Sequence, residues 1–164
     1  MQIRAILTVA MLVSTAHPAL ARDLLVADQA QYKAAVKKAQ PGDTIILADG
    51  EWRDFQIVFT GTGTPAKPIA LTAETKGKVL ITGQSNLRIG GKHLVVSGLV
   101  FKNGASPTDQ VISFRRDSKT LASDSRITET VIDGFSKSDR RAEDIWVALY
   151  GTGNRDDHSH FEGK

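Results

Sequence analysis

The sequence predicts a right-handed parallel β-helix, an all-β solenoid of stacked coils, with one helix covering its first coil. Beyond Gly42 the chain holds only short β-type runs, separated by Gly, Asn, Asp, Ser and Lys turns. A segment recurs at offsets of 31 and then 29 residues, a length that accommodates one coil of three short strands and three turns. The single convincing helical pattern precedes these runs, where the open edge of a first coil needs a cover.

The composition fits one soluble domain. The 164 residues include 21 Lys and Arg, 18 Asp and Glu, and no cysteine, so a disulfide scaffold and a thiolate metal site are excluded. The formal net charge of +3 is too small to indicate a nucleic-acid-binding protein.

Residues 1–21 have the pattern of a signal peptide. Arg4 supplies the positive first region, residues 5–14 are almost entirely apolar, and Ala19-Leu20-Ala21 fits the small-x-small cleavage rule. The apolar run is too short to span a bilayer, so we expect no membrane span. We predict cleavage after Ala21 and a periplasmic or secreted mature protein that comprises residues 22–164.

A capping helix is predicted over residues 28–39. Asp28 is a suitable N-cap and Gln31 completes a capping box, while apolar residues such as Tyr32 and Val36 recur at helical spacing. Pro41-Gly42 ends the helix. The coils are predicted from Thr44 onward, with strand runs at 44–47, 56–59, 69–72, 79–82, 87–89, 94–97, 99–101, 111–114, 126–133 and 146–150.

The internal repeat decides between a sandwich of hairpins and a solenoid. Residues 96–103 align with 127–134 and then with 156–163, and each segment ends in an apolar residue followed by a polar or glycine turn. Such a repeat favours parallel coils with aliphatic residues stacked inside. The sequence ends inside a coil and without a cap, so we expect it to be the N-terminal part of a longer protein, truncated after about three or four coils. An exposed strand edge and Phe161 would then favour self-association through the last coil.

Three stretches resemble the start of polysaccharide lyase family 6, which contains alginate (poly-mannuronate) lyases and chondroitinase B. They are PGDTIILADG at 41–50, KHLVVSGLVFKNG at 92–104, and WVALYG at 146–151 followed by Asn154, Arg155, Asp157 and His158. The likeness covers nearly all of residues 22–164, and residues 144–164 are closer to the alginate lyases. It implies a pectate-lyase-like β-helix and a partner that is an acidic polysaccharide, alginate or a related polyuronate.

The resemblance also implies a reaction, which is β-elimination. In the family a calcium ion held by side-chain oxygens neutralises the uronate carboxylate, a lysine acts as base, and an arginine assists the leaving oxygen. These groups come from an Asn, a Glu-x-Glu pair, a Lys shortly after it and an Arg on the next coil. No Glu-x-Glu occurs in this sequence. We therefore expect the catalytic residues beyond Lys164, assign no catalytic or metal-binding residue here, and expect calcium only in the full-length protein.

One site residue follows from the resemblance, which is Tyr150. It matches a tyrosine that lies along the sugar-binding groove in the alginate-lyase branch, where a ring with a hydroxyl suits stacking and hydrogen bonding. The alternative, a tyrosine that closes a strand against its neighbour, stays open.

Other polar clusters have commoner structural interpretations. His158 and His160, with Asp156, would project the same way from one strand as a metal site, but such residues are more often hydrogen-bonded strand residues. Asp156 and Asp157 are a poor acid pair, because adjacent strand residues point to opposite faces. Four arginines could line a groove for a polyanion, but such residues are commoner in solvated turns; these are Arg115, Arg116, Arg140 and Arg141. The two tryptophans, Trp52 and Trp146, are expected to pack against neighbouring side chains.

Two functional classes remain open at this point. The chain is expected to be the N-terminal part of an exported polysaccharide lyase that cleaves uronate-containing polysaccharide and is inactive as this isolated chain. The alternative is a non-catalytic β-helical module that binds acidic polysaccharide, or a truncated remnant.

Overall fold

The computed structural model describes residues 20–139 and 141–163 and shows a parallel β-helix of about four turns. The predicted all-β solenoid is therefore confirmed. Its elements are β1 (Asp23–Val26), α1 (Gln29–Lys38), β2 (Thr44–Leu47), β3 (Gly50–Arg53), β4 (Gln56–Thr62), β5 (Ile69–Ala73), β6 (Val79–Gln84), β7 (Asn86–Lys92), β8 (Leu94–Ser97), β9 (Leu99–Ala105), β10 (Gln110–Ser113), β11 (Ala122–Ser123), β12 (Arg126–Thr128), β13 (Val131–Asp133), β14 (Ile145–Ala148), β15 (Arg155–Asp157) and β16 (His160–Glu162).

Three parallel sheets run along the axis of the solenoid. The first contains β1, β2, β5, β8, β12 and β15 in that order, and the second contains β3, β6, β9, β13 and β16. In the third sheet β4 pairs with β7, β7 pairs with β10, and β10 pairs with β14. Every ladder between these strands is parallel, so each coil stacks on the coil before it. In the third sheet the short strand β11 also pairs with β7.

The register of the ladders is the one that the internal repeat predicts. In the first sheet Val96 pairs with Ile127, which pairs with Asp156. In the second sheet Phe101 pairs with Ile132, which pairs with Phe161. The offsets of 31 and 29 residues are thus the lengths of two successive coils.

The core consists of columns of apolar side chains inside the coils. One column joins Leu71, Val96 and Ile127, which are all fully buried. Burying a side chain of this size contributes about 1.5–3 kcal/mol to folding. Large buried aromatic rings complete the core, and they are Tyr32, Phe55, Phe59, Phe101, Phe114 and Phe135.

The corners between strands depend on residues with positive φ. Gly98, Glu129 and His158 occupy the same corner of three successive coils, with φ of 78°, 52° and 54°. The prediction of one strand over 126–133 is therefore wrong, because Glu129 turns the chain and separates β12 from β13. Five further strands went unpredicted, namely β1, β3, β11, β15 and β16, although the last two lie in the third copy of the repeat.

The helix covers the first coil, as the sequence predicts, and a strand precedes it. Asp28 is the N-cap and its Oδ1 accepts from the backbone N–H of Gln31 at 2.8 Å. The side chain of Gln31 accepts from the backbone N–H of Ala27, where a strict capping box would use that of Asp28. The buried Tyr32 donates its hydroxyl to the carbonyl of Val58, which ties α1 to β4.

An ion pair fixes the start of β1. The carboxylate of Asp43 is 1% exposed and accepts from the guanidinium of Arg22, whose side chain is half-exposed. It also accepts from the backbone N–H of Arg22 at 3.0 Å and from that of Gln40 at 2.8 Å. The hydrogen bond from Arg22 holds the pKa of Asp43 below its usual range. One carboxylate thus links the first strand to the turn that follows the helix.

We expect replacement of this carboxylate to destabilise the chain in a pH-dependent way. Asp43→Ala leaves two backbone donors without their acceptor, which should lower the free energy of unfolding at pH 7 by about 1–3 kcal/mol. Because the folded-state pKa of Asp43 is lowered, its contribution is complete above the ordinary aspartate pKa of about 3.9 and is lost as pH falls through the folded value. Denaturant titrations between neutral and acidic pH check this. A difference between variant and wild type that persists unchanged at acidic pH would contradict it.

The predicted signal peptide lies almost wholly outside the described residues, since the structure describes the chain from residue 20 onward. Within 20–139 and 141–163, no helix has both the length and the apolar character that crossing a membrane requires.

Candidate functional site

Polar side chains of the third sheet surround a cleft. The ladder aligns Arg88 of β7 with Ser113 of β10, and Ser113 with Ala148 of β14. Side chains alternate along a strand, so the inward Leu87 and Ile89 leave Arg88 on the outer face. Tyr150 lies two residues beyond Ala148, directly after β14.

A loop over residues 114–121 brings two more arginines to this cleft. The loop leaves the sheet after β10 and folds back as a short antiparallel excursion, with a bridge between Arg115 and Leu121. The backbone N–H of Arg116 donates to the carbonyl of Thr120 at 2.9 Å. Gly90 permits the close approach, because a Cβ there would lie 2.9 Å from the Cβ of Arg116.

Asp117 stabilises the loop. Its Oδ2 accepts from the Nε of Arg116 at 2.7 Å, and its Oδ1 accepts from the backbone N–H groups of Lys119 and Thr120 at 2.9 and 2.8 Å. The hydrogen bond from Arg116 lowers the pKa of Asp117 to about 2. The carboxylate is therefore ionised at neutral pH, and its partners lie within the loop itself.

Tyr150 is held by two neighbours. The side-chain amide of Gln110 donates to its hydroxyl at 2.7 Å, and the guanidinium carbon of Arg115 lies 4.0 Å from the centre of its ring. This cation–π contact orients the guanidinium across the ring. Tyr150 is half-buried at the cleft rather than in the core. Its assignment to a sugar-binding groove remains a prediction.

The cleft itself has a volume of about 330 Å³. We call it the arginine cleft, defined by Arg88, Gln110, Ser113, Arg115 and Arg116 together with Asp117. Sequence reasoning singled out the pair Arg115 and Arg116 but missed Arg88. Its outward position between Leu87 and Ile89 is the signal that would have found it.

The histidine and aspartate cluster does not form a metal site. His158 lies at a corner and His160 in β16, whereas Asp156 lies in β15, so the prediction that all three share one strand is wrong. Within 20–139 and 141–163 no three His, Asp or Glu side chains gather closely enough to hold a metal ion. The calcium ion that the family resemblance implies stays an expectation for the full-length protein.

Asp156 and Asp157 face different environments. Asp156 continues the inward column of Val96 and Ile127, where burial raises its pKa while Ser159 donates to it at 2.6 Å. Asp157 instead pairs with Arg126 at 2.7 Å, and that hydrogen bond lowers its pKa. The two carboxylates point to opposite faces and cannot flank one substrate bond.

The remaining candidates have structural roles or fall outside the cleft. Arg140 lies outside the described residues, and Arg141 is exposed in the loop between β13 and β14. Trp52 is buried and stacks on Phe55 with ring centres 5.2 Å apart. Trp146 is half-buried and its Nε1 donates to the carbonyl of Phe135 at 3.1 Å.

Comparison with known proteins identifies similar sequences and structures. A family model described as chondroitinase B matches residues 26–164. No curated protein matches the chain. The solved structure of AlyGC, a PL6 family alginate lyase, is similar at 55% sequence identity and a TM-score of 0.84, over 85% of this chain and 19% of that chain.

Two further solved structures are similar at lower identity. A mannuronic acid specific polysaccharide family 6 lyase from human gut microbiota is 32% identical with a TM-score of 0.78, over 87% of this chain and 34% of that chain. The PL6 polysaccharide lyase Pedsa3628 from Pseudopedobacter saltans is 29% identical with a TM-score of 0.68, over 85% of this chain and 34% of that chain. The chain thus spans between a fifth and a third of the length of these proteins.

Proposed function

The chain belongs to polysaccharide lyase family 6, the family of chondroitinase B and the alginate lyases, and from this we propose that it forms the N-terminal coils of an enzyme that cleaves alginate-like polyuronates by β-elimination. The observation that carries the proposal is the 55% identity to an alginate lyase over 85% of the chain. Identity of this level supports a shared substrate class more strongly than a shared fold does.

β-Elimination requires groups that we expect beyond Lys164, because the sequence contains no Glu-x-Glu pair. A base must remove the C5 proton of a uronate while the negative charge that develops beside its carboxylate is stabilised. Asp156 and Asp157 point to opposite faces, so these two carboxylates do not act together on one substrate bond. The part that we assign to this chain is to bind and orient the polymer on the outer face of the third sheet.

We propose that Tyr150 contacts a sugar ring there. Gln110 fixes its hydroxyl and Arg115 covers one side of its ring, so the ring is held in one orientation before substrate arrives. Aromatic contacts of this kind contribute about 0.5–1.5 kcal/mol.

The test is the affinity of the chain for alginate oligosaccharides. We expect Tyr150→Ala to weaken binding by about 3- to 10-fold in calorimetry, from the loss of that contact. Phe161→Ala removes an exposed aromatic ring from another sheet and is the matched control, for which we expect no change. Equal affinity of wild type and Tyr150→Ala would remove Tyr150 from the site.

We also propose that the protein is exported and that its leader is removed before Arg22. The support lies in the contacts of Arg22, whose backbone nitrogen already donates to the buried Asp43. Cleavage there would turn this N–H into a charged ammonium beside a carboxylate, which strengthens the hydrogen bond. Mass spectrometry of the protein recovered from a bacterial periplasm should show Arg22 as the first residue. Retention of an uncleaved leader in the cytoplasm would contradict the proposal.

A further inference from the structure

The arginine cleft contains more hydrogen-bond donors than the described residues satisfy. The Nε of Arg88 and the Oγ of Ser113 are both buried and have no hydrogen-bond partner. Ser113 is only 3% exposed. A buried donor without an acceptor is destabilising, and such groups in native proteins usually meet a ligand, an ion or water. The two residues are directly aligned in the ladder, and both line the arginine cleft.

The positive charge of the arginine cleft is also not balanced by carboxylates of the described residues. The only ion pair among the described cleft residues joins Arg116 to Asp117, whose carboxylate serves the loop. Arg115 stacks on Tyr150, and Arg88 pairs with no carboxylate in the described part of the chain. Two guanidinium groups are thus free to bind an anion, and the stacking of Arg115 limits the conformations that binding would otherwise have to fix.

We propose that the arginine cleft binds the carboxylate of a single uronate unit of the polymer, with Arg88 and Arg115 as its ligands and Ser113 as a further donor. A planar carboxylate matches the paired in-plane donors of a guanidinium. The volume of about 330 Å³ suits one sugar ring, at the small end of ligand pockets. Tyr150 at the edge of the cleft supplies the apolar surface that the same ring needs. This inference rests on the proposed function for its substrate class.

The experiment titrates the full 164-residue chain with a mannuronate tetrasaccharide. Calorimetry gives the affinity, and the NMR signal of the Arg88 Nε–H reports whether that buried group gains an acceptor. We expect Arg88→Gln and Arg115→Gln each to weaken binding by about 10- to 100-fold, since a hydrogen bond to a charged group is lost. Ser113→Ala should weaken binding by only a few fold and should leave the thermal unfolding temperature unchanged or higher, because it removes an unpaired buried hydroxyl.

Controls separate this site from general charge attraction. Arg53→Gln removes the same charge from a side chain that is 68% exposed on β3, in a different sheet, and should change affinity less than about twofold. A tetrasaccharide whose carboxyl groups have been reduced to alcohols should not bind.

Three results would overturn the inference: equal losses for Arg88→Gln and Arg53→Gln, binding of the reduced tetrasaccharide, or an Arg88 Nε–H signal that does not respond at saturation. Circular dichroism of each variant ensures that lost binding does not reflect unfolding. The proposed function is judged separately, by lyase activity on alginate of a longer protein that contains this chain. Failure there with an intact Arg88 response would leave a carboxylate-binding cleft in a protein of another activity.

Discussion

Incubated with alginate and calcium, the isolated 164-residue chain is expected to release no unsaturated uronate. The catalytic set that the family resemblance implies includes a Glu-x-Glu pair, and the sequence contains none. Loss of a positioned general base alone reduces rates by about 10²–10⁴-fold. Ultraviolet absorbance of the unsaturated product measures the rate, and AlyGC, to which the chain is 55% identical, is the positive control.

The contrary result would be informative in a specific way. Turnover by the isolated chain that a chelator abolishes would mean that its residues hold both the metal and the base, although no cluster within 20–139 and 141–163 fits a metal ion. The active site would then lie within this chain and not in the coils that we expect beyond Lys164.

Replacement of Gly91 by alanine is expected to be the most destabilising single methyl addition in the third sheet. Gly91 has a φ of 127°, which side-chain-bearing residues rarely adopt, and its Cβ would overlap the carbonyl oxygen of Gly61 in the neighbouring coil. The backbone conformation costs about 1–3 kcal/mol. Overpacking against the immobile backbone adds a further penalty of about 1–3 kcal/mol. Urea denaturation followed by circular dichroism measures the loss.

Gly50 offers a matched control, because its φ of 131° is nearly the same and nothing lies within 4 Å of its added Cβ. Gly50→Ala should therefore show the conformational penalty alone. If Gly50→Ala and Gly91→Ala reduce the free energy of unfolding equally, the close approach of the Gly61 carbonyl adds no penalty of its own, and the prediction is wrong.

The stacking of coils was predictable because it leaves a repeat in the sequence. Val96 and Ile127 occupy equivalent positions, and the ladder between them has the predicted register. β1, β3 and β11, which were missed, lack that signal. β3 carries Glu51 and Arg53 beside a single buried Trp52, so its composition does not indicate a strand. It forms because the parallel partner β6 fixes its backbone, which local propensity does not reveal.

The candidate site was predictable only in part. The neighbours Arg115 and Arg116 attract notice as a pair, yet one stacks on Tyr150 and the other binds Asp117. Arg88 is 27 residues away from Arg115 in the sequence. The coil brings it beside Ser113, and that contact depends on the register of the third sheet, not on any local motif.

The loop at residues 114–121 interrupts a strand without disturbing the stack beneath it. β10 pairs with Leu87 and Arg88 of β7, and β11 resumes pairing with the same strand at Gly91 and Lys92. The length of the loop therefore does not affect the register in which the strands pair with β7. Lengthening a surface loop carries only a small entropic cost. The length and charge of this loop can therefore change while the coils beneath it keep their register.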